Sequence, residues 1–460
     1  MDIAKHGDDP PPVVVIAGAG GFIGNAITRY LRGRYNVIGL SRSVRAASGW
    51  RTCNLLNLRE AEAGLVGAKY AIYLVHSMMP TARLTQGSFA DLDLLCADNF
   101  ARAAAKANVE QIVYLGGLIP QTATLSPHLQ SRREVEATLA AHGVPVTTLR
   151  AGLVLGGGGS SFDILVKLVR RLPAMICPRW TKTRTQPVAI DDVVALLAFA
   201  VGRPSCYGET FDVGAPEAMT YRDLMELCAD VIGVRRAMLP VGFFSPSLSR
   251  LWVSLITGAP LALVGPLVES LRHEMVARDH RLADMAGLAP TPVREALVRG
   301  LAADRERESR DDGHRAKPPQ VPVVQSVQRM KLPPNRTARW VAAEYARWLP
   351  RALRGLVRVD VDASENISFF MLFFREPLLT LVYSPERSAP DRQLYFIGRG
   401  RLSKATRHGR LEFRQVLNGR TLLVAIHDYV PRLPWFIYTV TQAPVHAIVM
   451  AAFRRHLARL

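Results

Sequence analysis

Residues 13–31 read VVVIAGAGGFIGNAITRYL. The run Val13–Ala17 has the apolar continuity of a strand buried on both faces, and Ile23, Ala26, Ile27, Tyr30 and Leu31 recur at the spacing of an amphipathic helix. Between them Gly18, Gly20, Gly21 and Gly24 strip the turn of side chains. Gly18 permits a tight turn, Gly21 lets the backbone approach a bulky anion, and Gly24 lets the helix pack closely on the strand. The first N–H groups of such a helix have no intrahelical partner and present a partial positive charge. A strand before the glycines and a helix after them together predict a pyrophosphate cradle for a dinucleotide.

The alternation continues along the chain. Strand-like runs at 35–40, 70–75, 111–115 and 144–149 are separated by helix-length segments, which predicts an α/β fold with a doubly wound parallel sheet. The end of the second strand selects the dinucleotide. An acidic residue there would bind a ribose 2′-hydroxyl, whereas arginine suits a 2′-phosphate. This chain reads GLSRSVR (39–45), with Ser41 and Arg42 in place, Arg45 nearby and no acidic residue from Pro10 to Arg59. NADP(H) is therefore expected over NAD(H). In TCNLLN (52–57), Asn54 stands where an adenine edge would be met.

The 460 residues, 49% of them hydrophobic, can bury more than one core. Five cysteines (53, 96, 177, 206 and 228) form no CxxC pair, so buried reduced thiols are expected and no metal site. The first twelve residues lack the basic-then-apolar order of a leader, which points to a cytoplasmic location. Of the net charge of +19, +13 falls in residues 321–460, where 22 Lys and Arg face 9 Asp and Glu. Such a field favours anionic partners, but no zinc-finger spacing, helix-turn-helix signal or aromatic RNA-binding motif accompanies it, which argues against nucleic acid. The stretch DRERESRDDGHRAKPPQVP reads as a solvated linker over 304–320. The apolar run LWVSLITGAPLALVGPLVESL (251–271) is interrupted by Gly258, Pro260, Gly265 and Pro266, so a broken helical pair is expected there, with peripheral contact to a membrane surface the competing reading.

Seven stretches carry a resemblance: AGAGGFIG (17–24), YLVHSM (73–78), IVYLGGL (112–118), SPHLQSRREVE (126–136), LRAGLVLG (149–156), RTQPVAIDDV (184–193) and FDVGAPEAMTYRDLM (211–225). Together they resemble the atypical branch of the extended short-chain dehydrogenase/reductase superfamily, most of all bacterial NmrA-like NAD(P)-binding proteins. The resemblance implies a Rossmann domain over 1–303, with a small substrate lobe at about 157–187 and 214–300. Cofactor contacts are expected from Gly18, Gly20, Gly21, Phe22, Ile23, Gly24, Ser41, Arg42, Asn54, Leu55, Val75, His76 and Arg132, and substrate contacts from Ser160, Ser161, Arg184 and Gln186. Asp191 and Asp192 are expected to cap a helix beginning at Val193.

The departure from the superfamily is equally informative. Its active members resemble one another in a serine after the strand 111–115 and in a YxxxK pair. Here Gly116 and Gly117 stand in place of the serine, and His128 and Arg132 in place of the pair. A guanidinium holds ribose hydroxyls or phosphate but does not titrate near neutrality. His128 and His76 are thus the candidate catalytic groups.

The last 140 residues read as a second, α+β domain (321–460): a strand at 326–332, a helix at 337–353, strands at 356–362, 367–374, 378–383, 392–398, 410–417 and 421–429, and a closing helix bent at Pro444. Arg410, Glu412 and Arg414 alternate with Leu411 and Phe413, and Asn418-Gly419 suits a two-residue type I′ hairpin turn. This order resembles the helix-grip fold of START-like and polyketide-cyclase-like domains, which implies an apolar pocket. Three functions remain open at this level: an NADP(H)-dependent oxidoreductase on a small or lipophilic substrate, a non-catalytic NADPH-sensing or assembly protein, and a carrier of a hydrophobic ligand.

Overall fold

The computed structural model describes residues 10–45, 47–76, 82–122, 124–241, 246–310, 321–404, 406 and 408–460. Two compact units emerge: residues 1–78 with 96–315, and residues 79–95 with 316–460.

The first unit is built on a seven-stranded sheet. In chain order its strands are β1 (Val13–Ala17), β2 (Asn36–Ser41), β3 (Trp50–Thr52), β4 (Tyr70–Tyr73), β6 (Gln111–Gly117), β7 (Val146–Ala151) and β8 (Thr210–Val213); the number β5 belongs to Ala82–Gln86, in the other unit. Every pairing is parallel, in the spatial order β8-β7-β6-β4-β1-β2-β3. Parallel strands are covered on both faces, and the sequence of β1 complies: Val14, Val15, Ile16 and Ala17 are fully buried. Ile16, Ile27, Leu149 and Phe211 pack on one side, with helix α1 (Phe22–Leu31), and Val15, Tyr73, Phe100 and Tyr114 on the other. From β1 the chain runs outward to β2 and β3, then returns to place β4 on the opposite flank. The strand order thus reverses between β1 and β4, where doubly wound sheets open a crevice at their carboxyl ends.

Further helices enclose a satellite core around Phe162, Leu165, Leu224 and Leu297. The run 251–271 forms the expected helical pair, Pro246–Thr257 and Leu261–Ser270, broken around Gly258–Pro260. Asp191 and Asp192 lie inside the first turn of the helix Ile190–Ala200 rather than capping it at Val193. Asp192 instead accepts from the backbone and hydroxyl of Thr291, at 2.7 and 2.8 Å. The helix Val293–Arg310 carries regular structure through the first seven residues of the expected linker, whose residues 311–320 lie outside the described ones. All five cysteines are free and buried, and burial pushes the thiols of Cys53 and Cys228 up to about 12.

The second unit is an eight-stranded sheet. Its strands are β5, β9 (Val321–Lys331), β10 (Val357–Val361), β11 (Ile367–Met371), β12 (Leu379–Tyr383), β13 (Arg392–Ile397), β14 (Arg410–Val416) and β15 (Thr421–Tyr429), in the order β10-β11-β12-β13-β14-β15-β9-β5. Neighbours are antiparallel except β5, which joins β9 in parallel. This strand comes from residues 79–95, which chain order had grouped with the first unit. One sheet face packs Phe369, Phe413 and Val424 against Val341 of the helix Ala338–Ala352 and against Phe453. The closing helix is interrupted at Thr441, between Trp435–Val440 and Gln442–Leu457. Pro444 sits in the first turn of the second piece, where its missing N–H leaves no bond unmade, so it does not bend the helix. The β14–β15 loop is also longer than a type I′ turn. Val416 pairs with Thr421, and Leu417, Asn418 and Gly419 all adopt positive φ. Arg410, Glu412 and Arg414 are buried, not solvated. Glu412 accepts from Arg392 and, at 2.8 Å, from Arg414, while Arg410 meets Asp428 at 2.9 Å.

Candidate functional site

The crevice beside β1 and β4 is a cavity of about 500 Å³. Gly18, Gly21, Phe22, Ile23, Gly24, Val75, His76, Arg132, His128, Ser160 and Ser161 line it, so residues far apart in the chain meet in one place. Gly116, Gly117, Leu153, Tyr221 and Met275 complete its wall.

The glycine turn fits a pyrophosphate on its own geometry. Gly18 has φ +88°, and a Cβ there would stand 3.0 Å from the Leu74 carbonyl. At Gly24 a Cβ would fall 2.1 Å from the Gly18 oxygen, which is why helix and strand touch here. At Gly21 it would meet only the Gly18 oxygen, at 3.2 Å, so this position borders open space. The helix behind it starts at Gly21 with no side-chain cap and no acid in its first turn, leaving its N–H groups to a ligand.

Ser41 ends β2 and Arg42 follows it, but both lie off the lining of the cavity, as do Gly20, Asn54 and Leu55. Arg45 stacks on Trp50 at 4.0 Å, and a Cβ at Gly20 would touch its guanidinium at 2.8 Å, so a cation stands against the glycine turn. The Asn54 carbonyl is engaged locally, accepting from the Leu56 N–H at 3.2 Å.

Arg132 donates from Nη2 to His76 Nδ1 at 2.7 Å. Because a guanidinium only donates, Nδ1 must accept, and the His76 proton is held on Nε2. The His128 ring lies 5.3 Å from that of His76, so α4 (Pro127–Leu139) and the end of β4 bring both histidines together. Gly117 leaves room at the vacated serine position: a Cβ there would meet nothing closer than Arg132 Cγ at 3.9 Å.

Two expected substrate residues stand elsewhere. Arg184 is exposed and pairs with Glu274 at 3.4 Å. Gln186 is buried and ties backbone to backbone, donating to Ala215 O at 2.6 Å and accepting from the Ala277 N–H at 2.9 Å. Tyr221, part of the stretch 211–225 but not among the expected site residues, does reach the cavity. It also lines an adjoining apolar chamber of about 100 Å³ with Leu153, Ser161, Trp180, Leu224 and Leu271. Burial raises its phenol above the ordinary tyrosine value.

Residues 14–214 match the sequence profile of the NAD dependent epimerase/dehydratase family. A curated relative, the auxiliary protein GraX of Staphylococcus aureus (strain NCTC 8325 / PS 47), is 26% identical over 143 residues, which are 30% of this chain and 43% of that protein. The chain thus spans less than half of that relative's length. Among solved structures, a nucleoside-diphosphate-sugar epimerase from Staphylococcus aureus aligns with 62% of this chain and 99% of its own, at 14% identity and a TM-score of 0.51. Triphenylmethane reductase from Citrobacter sp. gives 63% and 99%, at 16% identity and 0.51. The NADPH-dependent quinone oxidoreductase of Escherichia coli, solved with NADPH, gives 62% and 98%, at 17% identity and 0.50. At these identities the likeness is one of fold: the first unit shares with these structures a Rossmann-like architecture built on a parallel sheet.

Proposed function

We propose that the first unit is an NADPH-dependent reductase of uncharged, apolar substrates. The observation that carries this reading is the chamber beside the crevice, which among the described residues has no charged side chain in its lining. A sugar nucleotide would bring a diphosphate there without a cation to meet it, a cost of several kcal/mol, whereas a quinone, enone or aryl group would lose little on entering. Arg45 supplies positive charge beside the glycine turn and Arg42 directly follows β2, which supports NADPH over NADH.

Bound NADPH would supply a hydride. The chain's own part is to polarise and to protonate. His76, neutral with its proton on Nε2, donates a hydrogen bond to an acceptor oxygen but would become an unfavourable imidazolate if it gave that proton up. His128, whose ring lies 5.3 Å from that of His76 in the same cavity wall, is the group that delivers the proton and regains it from water. Hydride and proton together reduce the substrate by two electrons. The test is NADPH consumption by the full chain against quinones, enones and triarylmethane dyes, beside a uridine diphosphate sugar. Oxidation of NADPH by the apolar acceptors supports the reading. Interconversion of the sugar without net NADPH loss overturns it, and tight NADPH binding without turnover on any acceptor returns the sensing role.

The second unit favours a further ligand. A cavity of about 210 Å³ lies between its sheet and closing helix, lined by Leu349, Phe369, Leu381, Phe413 and Val449 among others. This supports the carrier reading and the helix-grip resemblance. Solvent extraction of purified protein followed by mass spectrometry tests it, and an empty extract counts against it.

A further inference from the structure

The second unit exposes apolar side chains in one neighbourhood, around the turn that follows β11. Phe373 is 84% exposed, Leu372 61% and Leu356 59%. They form one patch: the Leu372 N–H donates to Leu356 O at 3.1 Å, and Phe374 lies under the Arg401 guanidinium at 4.2 Å. The patch adjoins the apolar cavity. Its neighbours Leu353, Val357, Leu378 and Leu402 line that cavity, and Val445 of the closing helix both lines it and is 59% exposed. The segment Trp435–Leu457 is long and apolar enough to cross a membrane by length and composition, yet it is broken at Thr441 and turns one side to the cavity.

Exposed cations flank the same surface. Arg375 follows the turn directly, Arg401 covers Phe374, and Arg432 joins through its N–H to Leu402 O at 3.1 Å. Residues 321–460 carry +13. Large contiguous apolar exposure on a soluble surface calls for a partner. A second copy of the chain meeting this patch symmetrically would press like arginines together. A bilayer with anionic headgroups satisfies both demands, taking aromatic rings at the acyl boundary and guanidinium groups among the phosphates.

We propose that the second unit docks on anionic lipid bilayers through the turn 372–375 and its flanking arginines, seating the mouth of its apolar cavity on the membrane. A ligand can then pass between bilayer and cavity without crossing water. This surface is distinct from the helical pair at 246–270.

Co-sedimentation of the full chain with vesicles tests the proposal, using phosphatidylcholine alone and phosphatidylcholine mixed with phosphatidylglycerol. Partition onto the mixed vesicles is expected to exceed that onto neutral ones by roughly tenfold or more, and to fall at about 0.5 M salt. Phe373→Asp and Arg375→Glu should each lower it by roughly tenfold, since one puts a charge at the acyl boundary and the other reverses a contact. Circular dichroism checks that both variants remain folded, as their exposure leads one to expect. Arg34→Glu, the same charge change on an exposed turn of the first unit, should leave partition within about twofold. Equal partition onto neutral and anionic vesicles overturns the proposal, as does full binding by Phe373→Asp. A concentration-dependent dimer that Phe373→Asp abolishes would assign the patch to self-association instead.

Discussion

Arg132 offers donors and no acceptor, and that one-sidedness settles which nitrogen of His76 carries the proton. The two histidines should therefore fail differently. His128→Phe is expected to lower turnover by about 10²–10⁴-fold and to remove the alkaline limb of the pH–rate profile, where activity falls as a proton donor is deprotonated. His76→Phe should cost about 10²–10³-fold while leaving the shape of that profile unchanged, because it removes only polarisation. Steady-state kinetics across pH separates them, and identical profiles would merge the two roles. The glycines allow an equally sharp contrast. Gly21→Val should keep the fold and abolish cofactor binding, since its Cβ meets only one oxygen at 3.2 Å. Gly24→Val should lose the fold, its Cβ falling 2.1 Å from the Gly18 oxygen and 2.7 Å from the Ala19 Cα. Circular dichroism beside NADPH titration reads both, and binding by a folded Gly21→Val protein would show that the turn holds no phosphate.

Buried charge dominates at the scale of the strand pair β14–β15. Burial alone would raise the Glu412 carboxyl, but Arg414 and Arg392 hold it well below the ordinary carboxylate range. Glu412→Gln leaves two buried guanidinium groups without their shared anion, so it should destabilise the second unit by about 3–5 kcal/mol in denaturant melts. A loss under about 1 kcal/mol would mean that the pair of arginines finds compensation elsewhere. These charges also show where sequence patterns mislead. Alternation of Arg410, Glu412 and Arg414 with Leu411 and Phe413 marks the strand but not the burial of its charges, because period two reports which side chains share a face and not what covers it. The strand–turn–helix at 13–31 was legible because all its determinants are local. The hydrogen bonds of Gln186 were not legible for the opposite reason: its amide joins two backbone groups that lie far along the chain. Tyr221 lay in a marked stretch without being singled out, since its place in the chamber depends on how four helices assemble.

Across the whole molecule, acid should act first on the second unit. Burial lowers the His446 imidazole to about 4, and burial together with Arg410 and other cations holds His427 well below its ordinary value. The folded state therefore binds fewer protons than the unfolded one between these values and about 6.5, so stability is complete above about 6.5 and is lost as pH falls toward about 4. Thermal melts from about pH 7 to about pH 4.5 should show this decline, on the order of 1–3 kcal/mol for His446, and His446→Gln should flatten it. An unchanged slope in that variant would place the acid sensitivity elsewhere.

The path of the chain through β5 has a consequence for how the molecule is made. Residues 82–86 leave the ribosome more than two hundred residues before β9, the strand they pair with, so they must wait as an unpaired edge while the rest is synthesised. Growth of the second unit cannot finish in the order of synthesis. A chain cut within 311–320 would yield a C-terminal fragment whose outermost strand, β9, is bare, and such an edge recruits other strands. That fragment should aggregate when expressed alone and recover solubility when the N-terminal portion, with β5, is supplied in trans. In evolution as in the test tube, then, the second unit is not a detachable module: any rearrangement that moves it must carry along a short piece of sequence from the middle of its neighbour.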